Sequence, residues 1–443
     1  MQQGQIHLRR VLNAALGAAI VVGGAIGLGI LSVPGIVAGK LGDPVLVLGA
    51  WLLVGLVTLL GANIFAELGT TFPRAGGPYV YLKQAGGPFA GFVTGWSDTA
   101  ISVIASAAQA AAIGLYLENE VLDRRAIGIA VLGLLTLVNW FGLKVGARTQ
   151  QALSLFKVGG LLLLALACLA LGGFKPPSGV HLWQGSAGLA GLIGALMLIN
   201  ETYAGWTGNV YLSEEDQDSD RNIPRALFWG VGAMTAAYFL VNAGFISLLS
   251  IPELASSNLP ASDAAQRIFG SDAGRIVVTF AVISLIGTLN VNMMFTPRIA
   301  FAMGRDGVLP AHFASLNRFA SPGWALLAFT VPAMVLVTLK SFDFLFTITA
   351  FLGMAVNTAI YIAFFVLRRT APDIRRPYVA RFYPWAPGLV LAISAALLVA
   401  SLLTDPEPAL WAIAAVALSW PFYRWRIAAR RRPAPALSAD LPD

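Results

Sequence analysis

Charge is scarce in this chain. Asp, Glu, Lys and Arg make up 12% of its 443 residues, about half the share usual in soluble domains. So thin a polar coat excludes a soluble enzyme or a nucleic-acid binder of this length. Cysteine is almost missing too: one Cys excludes a disulfide framework, and with only three His it leaves no Cys/His metal cluster. No metal and no cofactor is expected. HExxH and GxSxG are both absent, and His7, His181 and His312 all fall outside the apolar stretches. An intramembrane catalytic set is therefore not assembled, and the chain reads as a non-enzyme. The strict alternation of spanning β-strands is lacking as well. What fills the chain is apolar sequence, 57% of it.

A bilayer core needs about 20 mostly apolar residues per helix. Twelve stretches qualify: about 13–38, 44–68, 87–117, 126–143, 149–172, 187–211, 225–249, 274–301, 323–340, 343–367, 384–403 and 408–423. The class is an all-α polytopic membrane protein. With the N-terminus placed in the cytoplasm, 21 of the 29 Lys and Arg fall on the inner side and 7 on the outer, with Lys157 inside a span. That excess obeys the positive-inside rule and puts both termini in the cytoplasm. It also accounts for the net charge of +7 without nucleic acid. Residues 1–12 form a short cytoplasmic start, followed by a first membrane helix and not a cleaved signal. The basic, then Pro/Ala-rich tail at 424–443 is expected to be disordered and to anchor topology. A plasma membrane, the inner membrane of a bacterium, is the expected location.

Two spans are poor continuous helices. The first carries Gly23, Gly24, Gly27 and Gly29 near its middle, each costing about 1 kcal/mol relative to Ala. The sixth carries Asn200, Glu201, Thr202, Tyr203, Gly205, Thr207 and Asn209 inside an apolar run. Glycines alone also serve close helix packing. As a pair, however, the interruptions hold corresponding places in two five-helix halves, the best sequence pointer to a transporter site built from broken helices. The half-helix after a break offers N–H groups and a positive dipole end to a carboxylate, while freed carbonyls suit an ammonium group. Together they suit a zwitterion.

Several motifs carry a family resemblance: Gly27-Leu28-Gly29-Ile30 with Pro34-Gly35; Ala66-Glu67-Leu68-Gly69-Thr70 with Pro73, Gly76, Gly77, Tyr79 and Tyr81; Gly205-Trp206 with Ser213-Glu214-Glu215 and Arg221-Asn222-Ile223-Pro224; and Arg298, Phe301 and Arg305-Asp306-Gly307-Val308-Leu309-Pro310. In these the chain resembles the amino acid–polyamine–organocation superfamily, and within it the L-type amino acid transporter branch. The resemblance implies a LeuT-type fold of 12 transmembrane helices: inverted repeats of five helices each at 13–172 and 187–367, plus two peripheral helices at 384–423. It implies a sodium-independent secondary amino acid transporter, working by proton-coupled uptake or by exchange. Polyamine or organic-cation transport is the alternative, favoured if Glu201 faces the side-chain pocket. The substrate carboxylate would meet backbone around Gly27, Leu28 and Gly29, beside Ile26. The ammonium would meet carbonyls near Ala25, Glu201 and Ala204. Tyr203 and Trp206 would close over the guest or simply pack.

Lys157 stands where sodium-independent members carry a Lys. A Lys within a span is costly to keep and marks a functional site by default, unless it snorkels to the interface. Two departures from the family stand out: Leu28 replaces a common Ser, and Glu201 replaces a common aromatic gate. Glu201 could carry a proton, bind a cationic side chain, pair with Lys157, or only tie up loose N–H groups. Asp98 is open between proton relay and helix cap. Asn290 and Asn292 read as interhelical hydrogen bonders, with a place facing the site as the alternative. The acidic run from Glu214 to Asp220 is either a solvated face or a gate paired with inner arginines, and Cys168 is an inert buried thiol. The outer loop from Glu118 to Arg125 holds no Cys, so no disulfide-linked accessory subunit is expected. The expected partners are a small-molecule substrate, protons and the lipid bilayer.

Overall fold

The computed structural model describes residues 8–118, 122–172, 188–339, 342–404 and 406–431. Its α-helices, in chain order, are α1 (Ala14–Ala25), α2 (Gly29–Leu41), α3 (Pro44–Thr71), α4 (Pro78–Leu117), α5 (Arg124–Trp140), α6 (Leu143–Gly172), α7 (Gly188–Thr202), α8 (Ser219–Leu248), α9 (Ile251–Ser256), α10 (Pro260–Phe269), α11 (Ala273–Arg305), α12 (Gly323–Leu339), α13 (Phe342–Thr370), α14 (Trp385–Thr404) and α15 (Pro406–Arg431). Among the described residues there is no β-strand, only one isolated bridge between Leu12 and Asp216. The all-α reading therefore holds, and among the described residues each stretch read as apolar lies largely in helix, interrupted at 26–28 and 203–207. By length and composition, seven helices among the described residues can cross a bilayer, and an eighth if the bent pair α1 and α2 counts as one span.

Local sequence sets the helix ends. Asn13 caps α1 through the N–H of Leu16 (3.0 Å). Asp43 caps α3 through the N–H groups of Val45 (2.8 Å) and Leu46 (3.0 Å), with Pro44 at the first turn, where its missing N–H costs nothing. Within α4, Gly87 sits at φ +83 before Pro88. This kink separates a short polar segment from the long apolar one, which is why the apolar stretch starts at 87.

Two features differ from expectation. The short helices α9 and α10 lie between α8 and α11 and had no apolar signal to announce them. The tail read as disordered from 424 is helical to Arg431, since Arg and Ala are good helix formers that extend a helix already running. Residues 432–443 of that tail, His7 and His181 lie outside the described residues.

The elements around the two interruptions pack as a unit. Helix α1 lies against α6, α8 and α11, α2 against α7, and α3 against α8. A buried polar layer runs between α5, α6 and α11. There Asn290 donates to Gly146 O and Gln150 Oε1, and Asn139 donates to Asn290 Oδ1 (2.8 Å). Such interhelical bonds replace the water that the bilayer cannot supply.

Candidate functional site

The first interruption is narrow. Helix α1 stops at Ala25, α2 starts at Gly29, and their axes bend by 48°. Residues 26–28 are not helical. The N–H groups of Gly27 and Leu28 have no partner among the described residues, and in the first turn of α2 Leu31 N–H is taken by Leu28 O (2.9 Å). The carbonyls before the break are taken by side chains of three other helices. Lys157 Nζ donates to Gly23 O and to Ile26 O, at 2.8 Å each. Ser284 also donates to Ile26 O (3.0 Å), and Tyr238 donates to Ala25 O (3.0 Å).

Lys157 is fully buried on α6. It does not snorkel, and no carboxylate pairs with it among the described residues. Its side chain lies over Gly287 of α11, where an added Cβ would stand 2.6 Å from Lys157 Cε. The pairing of Glu201 with Lys157 considered from the sequence is therefore not formed.

The second interruption is broader. Helix α7 ends at Thr202, residues 203–207 turn, and a 3-10 helix runs from Gly208 to Glu215. Tyr238 spans the two breaks, because its hydroxyl also donates to Thr202 O (3.1 Å). The backbones touch at Gly24 and Gly205: a Cβ on either would come within 2.5 Å of the other's carbonyl oxygen. Gly205 also needs φ +93, a conformation L residues with a side chain rarely adopt.

Between the breaks lies a cavity of about 300 Å³, large enough for a small-molecule guest. Its wall includes Ala25, Gly27, Leu28 and Gly29 from the first interruption and Glu201, Tyr203, Ala204 and Trp206 from the second. Ile26 and Lys157 do not line it; both act from behind the wall. Trp206 packs edge-on to Phe65 (centroids 5.0 Å apart), and Tyr203 donates to Trp51 O (3.2 Å). Asp98 reaches the cavity from α4 and accepts from the Tyr211 hydroxyl (2.9 Å). Asn292 also lines it and donates to Ser106 (3.3 Å). Glu201 has no hydrogen bond or ion pair from its carboxylate among the described residues.

The acidic run is divided: Asp218 is solvent-exposed and Asp220 partly so, whereas its first part is buried or paired. Glu215 is buried with Arg298 in a two-pronged pair (2.9 and 3.1 Å), and Glu214 is gripped the same way by Arg305 (2.7 and 2.6 Å). Glu215 O also accepts the N–H groups of Val11 and Leu12, tying the chain start to the end of the second interruption. Nearby, Glu67 of α3 pairs with Arg368 and Arg376. Tyr238 and Ser284 escaped sequence reading, since a single hydroxyl in an apolar helix is common. Cys168 is buried and free, and no cluster of metal ligands occurs among the described residues.

A cavity between two opened membrane helices is the form of site that secondary transporters use. The chain is a member of the amino acid permease family, which matches residues 17–419. It is 29% identical to the serine/threonine exchanger SteT of Bacillus subtilis over 90% of this chain and 92% of the relative. It is 30% identical to the human large neutral amino acids transporter small subunit 2, over 91% of this chain and 78% of that protein. Mouse Asc-type amino acid transporter 1 is 28% identical over 91% of this chain and 78% of its own length. These relatives agree with the L-type branch that the motifs resemble.

Proposed function

We propose that this chain is a sodium-independent secondary amino acid transporter that works by alternating access across a plasma membrane, with 12 spans arranged as two inverted five-helix repeats plus a peripheral pair and with both termini cytoplasmic. The guest's carboxylate meets the free N–H groups of Gly27, Leu28 and Gly29 at the positive end of α2. Its ammonium shares the carbonyls of Ala25, Glu201 and Ala204. Ala25 O already accepts from Tyr238, but a carbonyl has a second lone pair. Tyr203 and Trp206 bound the guest on the α7 side.

One observation carries sodium independence: Lys157 Nζ donates to both Gly23 O and Ile26 O. A fixed ammonium thereby fills the carbonyl cage in which a sodium ion would otherwise sit. Because Lys157 holds the break from behind the cavity wall, it couples the shape of the site to the packing of α6. Exchange is the favoured mode, in keeping with the Bacillus relative's being a serine/threonine exchanger; proton-coupled uptake uses the same site. No disulfide-linked accessory subunit is required, since Cys168 is buried within α6.

Uptake of labelled amino acids into proteoliposomes tests this reading. Uptake should be unchanged when external sodium is replaced by choline, and should rise when amino acid is preloaded inside. Sodium-dependent uptake would overturn the role given to Lys157. Uptake driven by a pH gradient alone, with no effect of preloading, would replace exchange with proton coupling.

A further inference from the structure

The cavity wall is one-sided in charge. The ionisable acids lining it are Asp98 and Glu201, and no Lys, Arg or His lines it among the described residues. The two carboxylates differ. Asp98 accepts from Tyr211, whereas Glu201 has no partner. A third acceptor reinforces the imbalance: Oε1 of Gln109, also on the wall, is buried without a hydrogen bond. A carboxylate kept at membrane depth is costly unless something neutralises it, and a buried acceptor left unpaired costs free energy as well.

We propose that the site selects amino acids with a basic side chain, whose ammonium or guanidinium group pairs with Glu201 while the α-amino and α-carboxyl groups take the backbone of the two breaks. This deepens the transport reading above and rests on it. An apolar side chain would bring no donor to Glu201 or to Gln109 Oε1, and a hydroxyl side chain would bring one uncharged donor for the two of them, so either would seal an unpaired acceptor inside the protein. An acidic side chain would add repulsion. A lysine- or arginine-like guest supplies three or five N–H donors and one positive charge. Sites built around a buried polar partner discriminate strongly against guests that lack it. Glu201 sits one residue before the end of α7, beside Ala204 and Gly205, so the pocket for the side chain adjoins the break that holds the α-ammonium.

The test is binding of labelled lysine, arginine, leucine and serine to the purified full-length protein, with Glu201→Gln as the comparison. Lysine or arginine should bind at least about tenfold more tightly than leucine or serine. In Glu201→Gln the lysine-to-leucine affinity ratio should fall by roughly 30-fold, the lower range for removing one partner of a buried charge pair. A wild-type protein that prefers leucine or serine overturns the proposal with no need for a variant. So does a Glu201→Gln protein that keeps the wild-type ratio and changes only the pH dependence of uptake, which would make Glu201 a proton carrier. If none of the four amino acids binds, the transport reading itself fails; if only the neutral ones bind, transport stands and this selectivity falls.

Discussion

The two interruptions are built on opposite plans. In the first, three residues are opened and the carbonyls of Gly23, Ala25 and Ile26 are each occupied by a side chain from α6, α8 or α11. In the second, five residues turn between α7 and the 3-10 helix, and the middle of the segment is left facing the cavity with Ala204 and Gly205 exposed. Its side chains are anchored, Tyr203 on Trp51 O and Trp206 on Phe65, with Tyr238 on Thr202 O and arginines on Glu214 and Glu215 beyond them. The difference teaches a division of labour. The first break is a socket whose carbonyls are satisfied by the protein, so that its N–H groups are the part left unpaired for a guest. The second is held by its side chains and leaves the backbone at Ala204 and Gly205 open to a guest.

The largest effect should come from the point where the two plans touch. Gly205→Val adds a Cβ only 2.5 Å from Gly24 O at a φ of +93, so the variant faces both a backbone collision and strain. Uptake should drop to background. Even Gly205→Ala should lose most of it, and an alanine variant with wild-type uptake would show that the breaks do not need this contact.

Lys157→Ala should come next and attacks the first break alone. Ile26 O keeps Ser284, but Gly23 O loses the donor that Lys157 supplied and is left buried, at a cost of about 1–3 kcal/mol. Uptake should fall at least about tenfold while the protein still elutes as a folded species in detergent. Wild-type uptake from a folded Lys157→Ala protein would mean that the socket holds itself. Tyr238→Phe removes the one hydroxyl shared by both breaks and so sharpens the comparison. The net loss of about 1 kcal/mol should weaken substrate binding about fivefold, as read by isothermal titration. No change in affinity would indicate that the breaks are positioned independently.

How far the sequence carries this picture depends on the kind of signal each feature leaves. The interruptions were legible because glycines and polar residues inside apolar runs are costly and therefore conspicuous, and the structure opens the chain at 26–28 and 203–207, within both marked segments. Lys157 was legible as an intramembrane charge, but its partners were not. They are backbone carbonyls more than 130 positions away, and a carbonyl has no sequence signature. Tyr238 and Ser284 were missed for the opposite reason, since one hydroxyl on an apolar helix is ordinary. The acidic run was visible as charge, yet the burial of its first part depends on Arg298 and Arg305 of α11 coming round to meet it, which spacing along the chain does not encode. Helices α9 and α10 escaped because they are short and carry polar residues such as Glu253, Asp263 and Arg267.

The smallest expected effect lies at the far end of the second interruption, where charge replaces backbone as the anchor. Burial alone would raise the Glu214 carboxyl, but the two-pronged Arg305 contact, the Ala75 N–H and the nearby Arg74 outweigh it and hold Glu214 below its ordinary value. A carboxyl held down on folding adds stability that is present above its unfolded pKa of about 4.3 and is lost as the pH falls through its lower folded value. Glu214→Gln should therefore melt a few degrees below wild type at pH 7 in detergent, and the gap should narrow as the pH is taken below about 4. A gap that stays constant down to the acid limit would mean that Glu214 anchors the segment by shape and not by charge. In that case the second interruption would resemble the first more closely than its ion pairs suggest.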